Sequence, residues 1–172
     1  PVLDGMNATA FPSGVMTMPV EATEQVGPVI IWRKELRPSS GGPGKHRGGL
    51  GQYMDVGAHD GHEFDFSAMF DRIDHPARGR RGGGGGGATE LRRSDGPALR
   101  GKGRQFIPHG VAVEMAFPGG GGYGDPAERD QTAVIRDLAH GYITADNARD
   151  IYGMAEETIT DILARADRGE VF

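Results

Sequence analysis

Cysteine is absent from the 172-residue chain, which excludes disulfides and thiolate metal centres and points to a reducing compartment. No apolar run approaches the ~20 residues of a membrane span, and no signal-peptide pattern opens the chain. Positive charge is in deficit, with 19 Lys and Arg against 24 Asp and Glu. No net positive field therefore draws in nucleic acid or an anionic membrane, and neither is expected as a partner. A Ser-His-Asp elbow, a zincin motif and a dinucleotide fingerprint are lacking too. These absences lead to the expectation of a cytoplasmic protein. The chain opens on Pro1 rather than Met, inside a turn-like PVLDGMN, and so reads as a piece of a longer protein.

What the chain has in excess is glycine, 30 residues, beside 11 prolines. They cluster in blocks, and the segments between the blocks keep clear periodicity. Residues 1–27 are punctuated by Pro12, Gly14, Pro19 and Gly27, which leave no room for long regular elements. Val29–Leu36 starts apolar and turns charged, as a strand leaving a core would. Gln52–Val56 reads as a second short strand. From His62 to Phe70, Phe64, Phe66, Ala68 and Phe70 alternate with polar residues, the period of a strand with one buried face. Val111–Phe117 repeats the pattern, and Gln105–Ile107 is expected to pair nearby. Connections between these runs look hairpin-like, which favours antiparallel pairing.

After Gly124 the period lengthens. Asp125 or Asp130 can cap a helix carrying Val134, Ile135 and Leu138, closed by Gly141. Thr144 caps a second helix, residues 145–152, and a third spans about 155–168 before Gly169. The expected fold is α+β: a mostly antiparallel β sheet or sandwich with long Gly-rich loops, followed by a small carboxy-terminal helical tail. In domain terms, residues 1–126 form the β-rich part and 127–172 the tail packed on it. Residues 77–103 hold Gly82–Gly87 among five arginines and read as a flexible surface loop that builds no core.

Three constellations carry possible chemistry. GGPGKHRGG (Gly41–Gly49) offers backbone amides to an anion, but His46 follows Lys45 where a phosphate loop needs Ser or Thr, so a tight structural turn is favoured. His59, Asp60, His62, Glu63 and Asp65 are potential hard-metal ligands, yet no third group lies nearby in sequence, and a solvated edge is favoured. Asn7, Thr9, Ser13, Glu21, Thr23 and Glu24 crowd an irregular opening. Two carboxylates there could position a substrate or a water, or serve turns and caps equally well.

NATAFPSGVMTMPVEATE (Asn7–Glu24), RPSSGGPGKHRGGLGQ (Arg37–Gln52), the pair Asp71–Arg72, FPGGGGYGDP (Phe117–Pro126) and RDLAHGYITADNARDIYG (Arg136–Gly153) resemble the hydantoinase B/oxoprolinase family. The blocks fall in that family's order, and the likeness is to about the last third of a full-length member. The resemblance implies ATP-dependent hydrolytic opening of a small cyclic amide, a hydantoin or 5-oxoproline, in a hetero-oligomer with a hydantoinase A partner. ATP and Mg²⁺ would sit on that partner, with none bound to this chain and no metal site within it. Asn7, Ser13, Glu21 and Glu24 are then the candidate catalytic residues. HPARGRRGGGGGGATE (His75–Glu90) departs from the family's aromatic, Pro-rich stretch. The alternative is a non-catalytic assembly module of such a complex, or of a related ATP-dependent ketone carboxylase.

Overall fold

The computed structural model describes residues 3–9 and 18–170. Six strands are present among them: β1 (Val29–Leu36), β2 (Gln52–Ala58), β3 (Phe64–Met69), β4 (Glu90–Arg93), β5 (Lys102–Ile107) and β6 (Val113–Ala116). Four α-helices, α1 (Val20–Val26), α2 (Gln131–Ala139), α3 (Ala145–Asp150) and α4 (Glu156–Asp167), and two 3-10 turns, His59–Gly61 and Pro126–Glu128, complete the set. The fold is α+β. An antiparallel four-stranded sheet has the order β1-β2-β6-β4, and β3 and β5 form a separate antiparallel ribbon.

Alternation builds the β core as the sequence predicts. Phe64, Phe66 and Phe70 pack with buried Ile107, Leu91, Val113 and Met115, while Met54 and Val56 come from β2. Ile107 and Val113 are fully enclosed, and each such side chain contributes about 1.5–3 kcal/mol by leaving water. The opposite face of the four-stranded sheet carries the row Arg33, Asp55, Glu114 and Arg92, set side by side by the register. At Trp32 the β1 register slips, and this indole stays 68% exposed.

The tail has its own core of Val134, Leu138, Ile143, Ala148, Tyr152, Met154, Ile159 and Ile162. Both proposed caps operate. Asp125 Oδ1 accepts from Ala127 N across a 3-10 turn, and Asp130 Oδ1 accepts from Thr132 N at the start of α2. Thr144 Oγ1 accepts from Asn147 N at the start of α3. Gly141, Gly153 and Gly169 end their helices with φ of +68°, +68° and +77°, the left-handed stop that glycine favours. The short helix α1 was not anticipated; it follows Pro19 without a side-chain cap.

The glycine blocks form the molecule's third layer. Residues 40–51 precede β2, 117–124 follow β6 and 77–88 precede β4, so three neighbouring strands run on into glycine. The three segments hydrogen-bond in every pairing. Gly42 N donates to Gly120 O at 2.8 Å, Gly122 N to Gly84 O at 2.9 Å and Gly84 N to Pro43 O at 2.7 Å. This is a bundle of backbones, packed too closely at several glycines for a side chain to enter. A Cβ on Gly122 would lie 2.0 Å from Pro43 O, and one on Gly42 would lie 2.3 Å from Gly84 O.

The expectation that residues 77–103 form a flexible loop with no part in a core is corrected here. Gly83, Gly84 and Gly86 lie against the other two glycine segments, and Glu90–Arg93 pairs with β6. Composition suggested a solvated chain because glycine buries no side chain. The structure satisfies the backbone itself, at about 0.5–1.5 kcal/mol net per hydrogen bond.

Candidate functional site

Residues 3–9 cross one side of the glycine bundle. Gly5 N donates to Arg47 O at 2.8 Å and Ala8 N to Leu50 O at 2.7 Å. Between this segment, the bundle and Arg72 lies a cavity of about 730 Å³. Its walls combine apolar groups (Leu3, Met6, Leu50, Phe117) with glycine backbone from Gly48–Gly51 and Gly119–Gly121. His46, Arg47, Gln52, Arg72, Thr9 and Tyr123 supply polar side chains. The volume suits a small organic ligand.

A buried ion cluster anchors this arrangement from behind. Arg47, Arg129 and Asp137 are 4%, 4% and 2% exposed. Asp137 Oδ2 accepts from Arg47 Nε at 3.0 Å and from Arg129 Nη2 at 2.6 Å. Asp4 holds Arg129 with both carboxylate oxygens, at 2.8 and 2.7 Å, and also accepts from Arg47 N. Rings cover the guanidinium groups: Arg47 lies 5.6 Å from the Tyr142 centroid and Arg129 lies 5.9 Å from that of Tyr152. Two cations thus meet two anions, which is how proteins tolerate buried charge.

The electrostatics follow. Burial opposes the charge on Asp4, but hydrogen bonds and charges from Arg129 and Arg47 outweigh it and leave the carboxyl below its usual range. Arg129 is held further above its ordinary value, because Asp4 and Asp137 outweigh its own burial. Burial pushes the Tyr152 phenol up, although Arg129 and the Gly44 backbone pull the other way.

The sequence-derived candidates fall in different places. Asn7 sits beneath the cavity, where its Oδ1 accepts from Leu50 N at 3.0 Å and Arg47 Nη1 at 3.3 Å. Ser13 lies outside the described residues. Glu21 is exposed in the first turn of α1. Glu24 accepts from Ile31 N at 2.8 Å, tying α1 to β1. Neither Glu21 nor Glu24 lines the cavity, so the structure does not gather these residues around one point.

The two other constellations resolve toward structure. In the Gly41–Gly49 block, the amides of Gly42, Lys45, His46 and Gly48 all donate to backbone carbonyls within the bundle, so they form no phosphate cradle. Of the His59–Asp65 group, His59 pairs with Asp60 and Asp65 with Arg104. Among the described residues no three His, Asp or Glu side chains converge as a metal would require. These residues do not fit a metal ion.

The ion cluster itself escaped the sequence reading. Its one local signal is Asp137, a carboxylate on the same stripe of α2 as Val134 and Leu138, where a buried charge demands a partner.

Comparison with known proteins places the chain. The family model described as hydantoinase B/oxoprolinase matches residues 1–126. A protein from Pseudomonas sp. (strain NS671), named provisionally as the B component of a D-/L-hydantoinase, is 32% identical over 92% of this chain and 27% of its own length. The beta chain of the caprolactamase from Pseudomonas jessenii is 30% identical over 81% of this chain and 25% of its own. The crystal structure of the ATP-dependent caprolactamase from that organism superposes with a TM-score of 0.69 at 24% identity. It covers 95% of this chain and 33% of the solved one, which shows a shared fold. The chain spans about a quarter of the length of the curated relatives it matches. With the family model matched over well more than half of its residues, this chain belongs to the hydantoinase B/oxoprolinase family.

Proposed function

We propose that this chain is the carboxy-terminal part of a hydantoinase B/oxoprolinase-type subunit that opens a cyclic amide, a hydantoin or 5-oxoproline, together with a hydantoinase A partner in a cytoplasmic hetero-oligomer. The observation that carries this reading is the 730 Å³ cavity over the glycine bundle, in a chain of that family. ATP with Mg²⁺ on the partner would supply phosphorylation of the amide oxygen, so that cyclic amide, two waters and ATP become the ring-opened acid, ADP and phosphate.

The chain's own contribution is a wall of fixed shape. Bundle amides that donate internally do not reorganise around a ligand, and preorganisation of this kind lowers the cost of holding a substrate. Leu50 and Phe117 would present an apolar wall on one side. Asn7 would act as a positioning residue by holding the Leu50 turn that floors the cavity. Ser13, Glu21 and Glu24 remain candidates on the same opening segment.

A second reading, an assembly module without catalytic groups, is favoured by one observation: Glu24 is spent on the Ile31 amide and Glu21 points to no cavity residue. The test is reconstitution of the full subunit with its hydantoinase A partner, ATP and Mg²⁺. Phosphate release should depend on hydantoin or 5-oxoproline, and Asn7→Ala, which frees the Leu50 turn, should lower it at least tenfold. Turnover unchanged by Asn7→Ala supports the assembly reading, and no amide-dependent release from the complete complex overturns the first.

A further inference from the structure

We propose that the cavity over the glycine bundle binds a small oxyanion, a carboxylate or a phosphoryl group, and that Arg72 is the residue that selects it. The inference rests on the reading above, that this cavity receives the substrate, and adds the charge of what it receives.

Three observations converge. First, the lining includes Arg72, Arg47 and His46, and no aspartate or glutamate among the described residues. In a chain of net charge −5, a recess lined without a described carboxylate leaves any unmatched arginine charge unopposed. Second, the two arginines differ in kind. Arg47 is neutralised by Asp137, whereas the Arg72 guanidinium has no hydrogen bond or ion pair with any described residue. Its neighbour Asp71 is taken by Lys102 at 2.7 Å, so the nearest carboxylate in sequence is already engaged.

Third, the Arg72 backbone is strained. Its φ is +61°, a left-handed conformation that a long side chain adopts only where the surroundings impose it. The imposing group is Thr89, 2% exposed, whose amide donates to Arg72 O at 2.9 Å and whose hydroxyl donates to Asp71 O at 2.7 Å. Glycine would occupy this position without strain, yet the position carries an arginine with no partner among the described residues. A guanidinium presents paired N–H donors that fit the two oxygens of a carboxylate or phosphoryl group, a match that neither a lysine nor a backbone amide reproduces.

The experiment is equilibrium binding on the full chain without ATP or any partner, read by amide chemical shifts of Gly119–Gly121 at constant ionic strength. Inorganic phosphate and acetate are the two probes, and the one that saturates tells phosphoryl from carboxylate recognition. Arg72→Gly should weaken that binding at least tenfold while holding or raising the melting temperature, because it relieves the left-handed strain. Arg72→Lys should retain part of the binding, and Arg100→Gln, an equal charge change outside the cavity, should leave it unchanged.

Saturation by neither probe, or binding that persists in Arg72→Gly, overturns the proposal. A melting temperature that falls in Arg72→Gly, with binding intact, would assign Arg72 a structural role. Saturable binding together with a reconstituted complex that opens no cyclic amide would refute the proposed reaction and leave the anion site standing. Amide opening with unchanged KM in Arg72→Gly would do the reverse.

Discussion

Among the described residues, replacing Asp137 by alanine removes the one carboxylate that hydrogen-bonds the guanidinium groups of both buried arginines. Arg129 keeps Asp4, but among the described residues the Arg47 guanidinium keeps hydrogen bonds only to the Gly48 carbonyl and Asn7, and to no anion. Removing one partner of a buried pair costs about 3–5 kcal/mol, since the remaining charge has lost its compensation and cannot return to water. At about 2–4 °C per kcal/mol for chains of this size, the melting temperature should fall by about 6–20 °C. Urea titration followed by far-UV circular dichroism gives the free energy, and an unchanged slope would show that the comparison is between like states. Asp137→Asn should lie between, as it keeps volume and an acceptor while losing the charge. Arg47→Met combined with Asp137→Leu should recover much of the loss, because an apolar pair carries no desolvation penalty. A loss below about 1 kcal/mol for Asp137→Ala would refute the reasoning, and the latch between the glycine bundle and α2 would have to be sought in the apolar contacts alone.

Two further outcomes test other parts of the structure. Gly122→Ala, whose Cβ would sit 2.0 Å from Pro43 O, should destabilise by about 1–3 kcal/mol, whereas Gly27→Ala, with nothing within 4 Å, should change the melting temperature little; equal effects would remove the case for a close-packed bundle. The folded Asp4 carboxyl lies below its ordinary 3.8, so its contribution is fully present above that value and is lost as pH falls through the folded one; urea midpoints measured from pH 5 down to pH 3 should drop more steeply for the native chain than for Asp4→Asn, and parallel slopes would contradict it.

Much of the fold was legible because burial on one side leaves a period. Phe64, Phe66, Ala68 and Phe70 share a face that meets Ile107, and any strand with one wet side must write that alternation. Helix ends were legible for the same local reason: Asp125, Asp130 and Thr144 cap within three residues, and Gly141, Gly153 and Gly169 stop at a left-handed φ. The glycine run Gly82–Gly87 was not legible. A residue without a side chain looks the same in sequence whether it faces water or another backbone. What decides is the presence of Ser40–Gly51 and Gly119–Gly122 at the right place, some 35 residues away on either side. The candidate site suffered similarly. Asp4 and Arg129 are 125 positions apart, and only tertiary structure makes them partners.

The glycine bundle also explains where recognition in this cavity has to come from. Packing three glycine-rich backbones together leaves little room for side chains between them, and the bundle's amides largely spend their donors on one another. Such a wall is rigid and chemically bland, so it supplies shape and leaves discrimination to the groups that enter from its rim. Those groups come from separate places in the chain: Arg72 behind β3, His46 and Gln52 before and at the start of β2, and Thr9 on the crossing segment. The opening segment is fastened to the bundle by Asp4 and Asn7, and the bundle to the helical tail through Arg47 and Asp137. A change in that ion cluster should therefore reach the cavity by moving residues 3–9, although Asp137, Arg129 and Asp4 do not line it. This separates the two arginines of the site. Arg47 is a structural cation with its charge already matched, whereas Arg72 has no partner among the described residues.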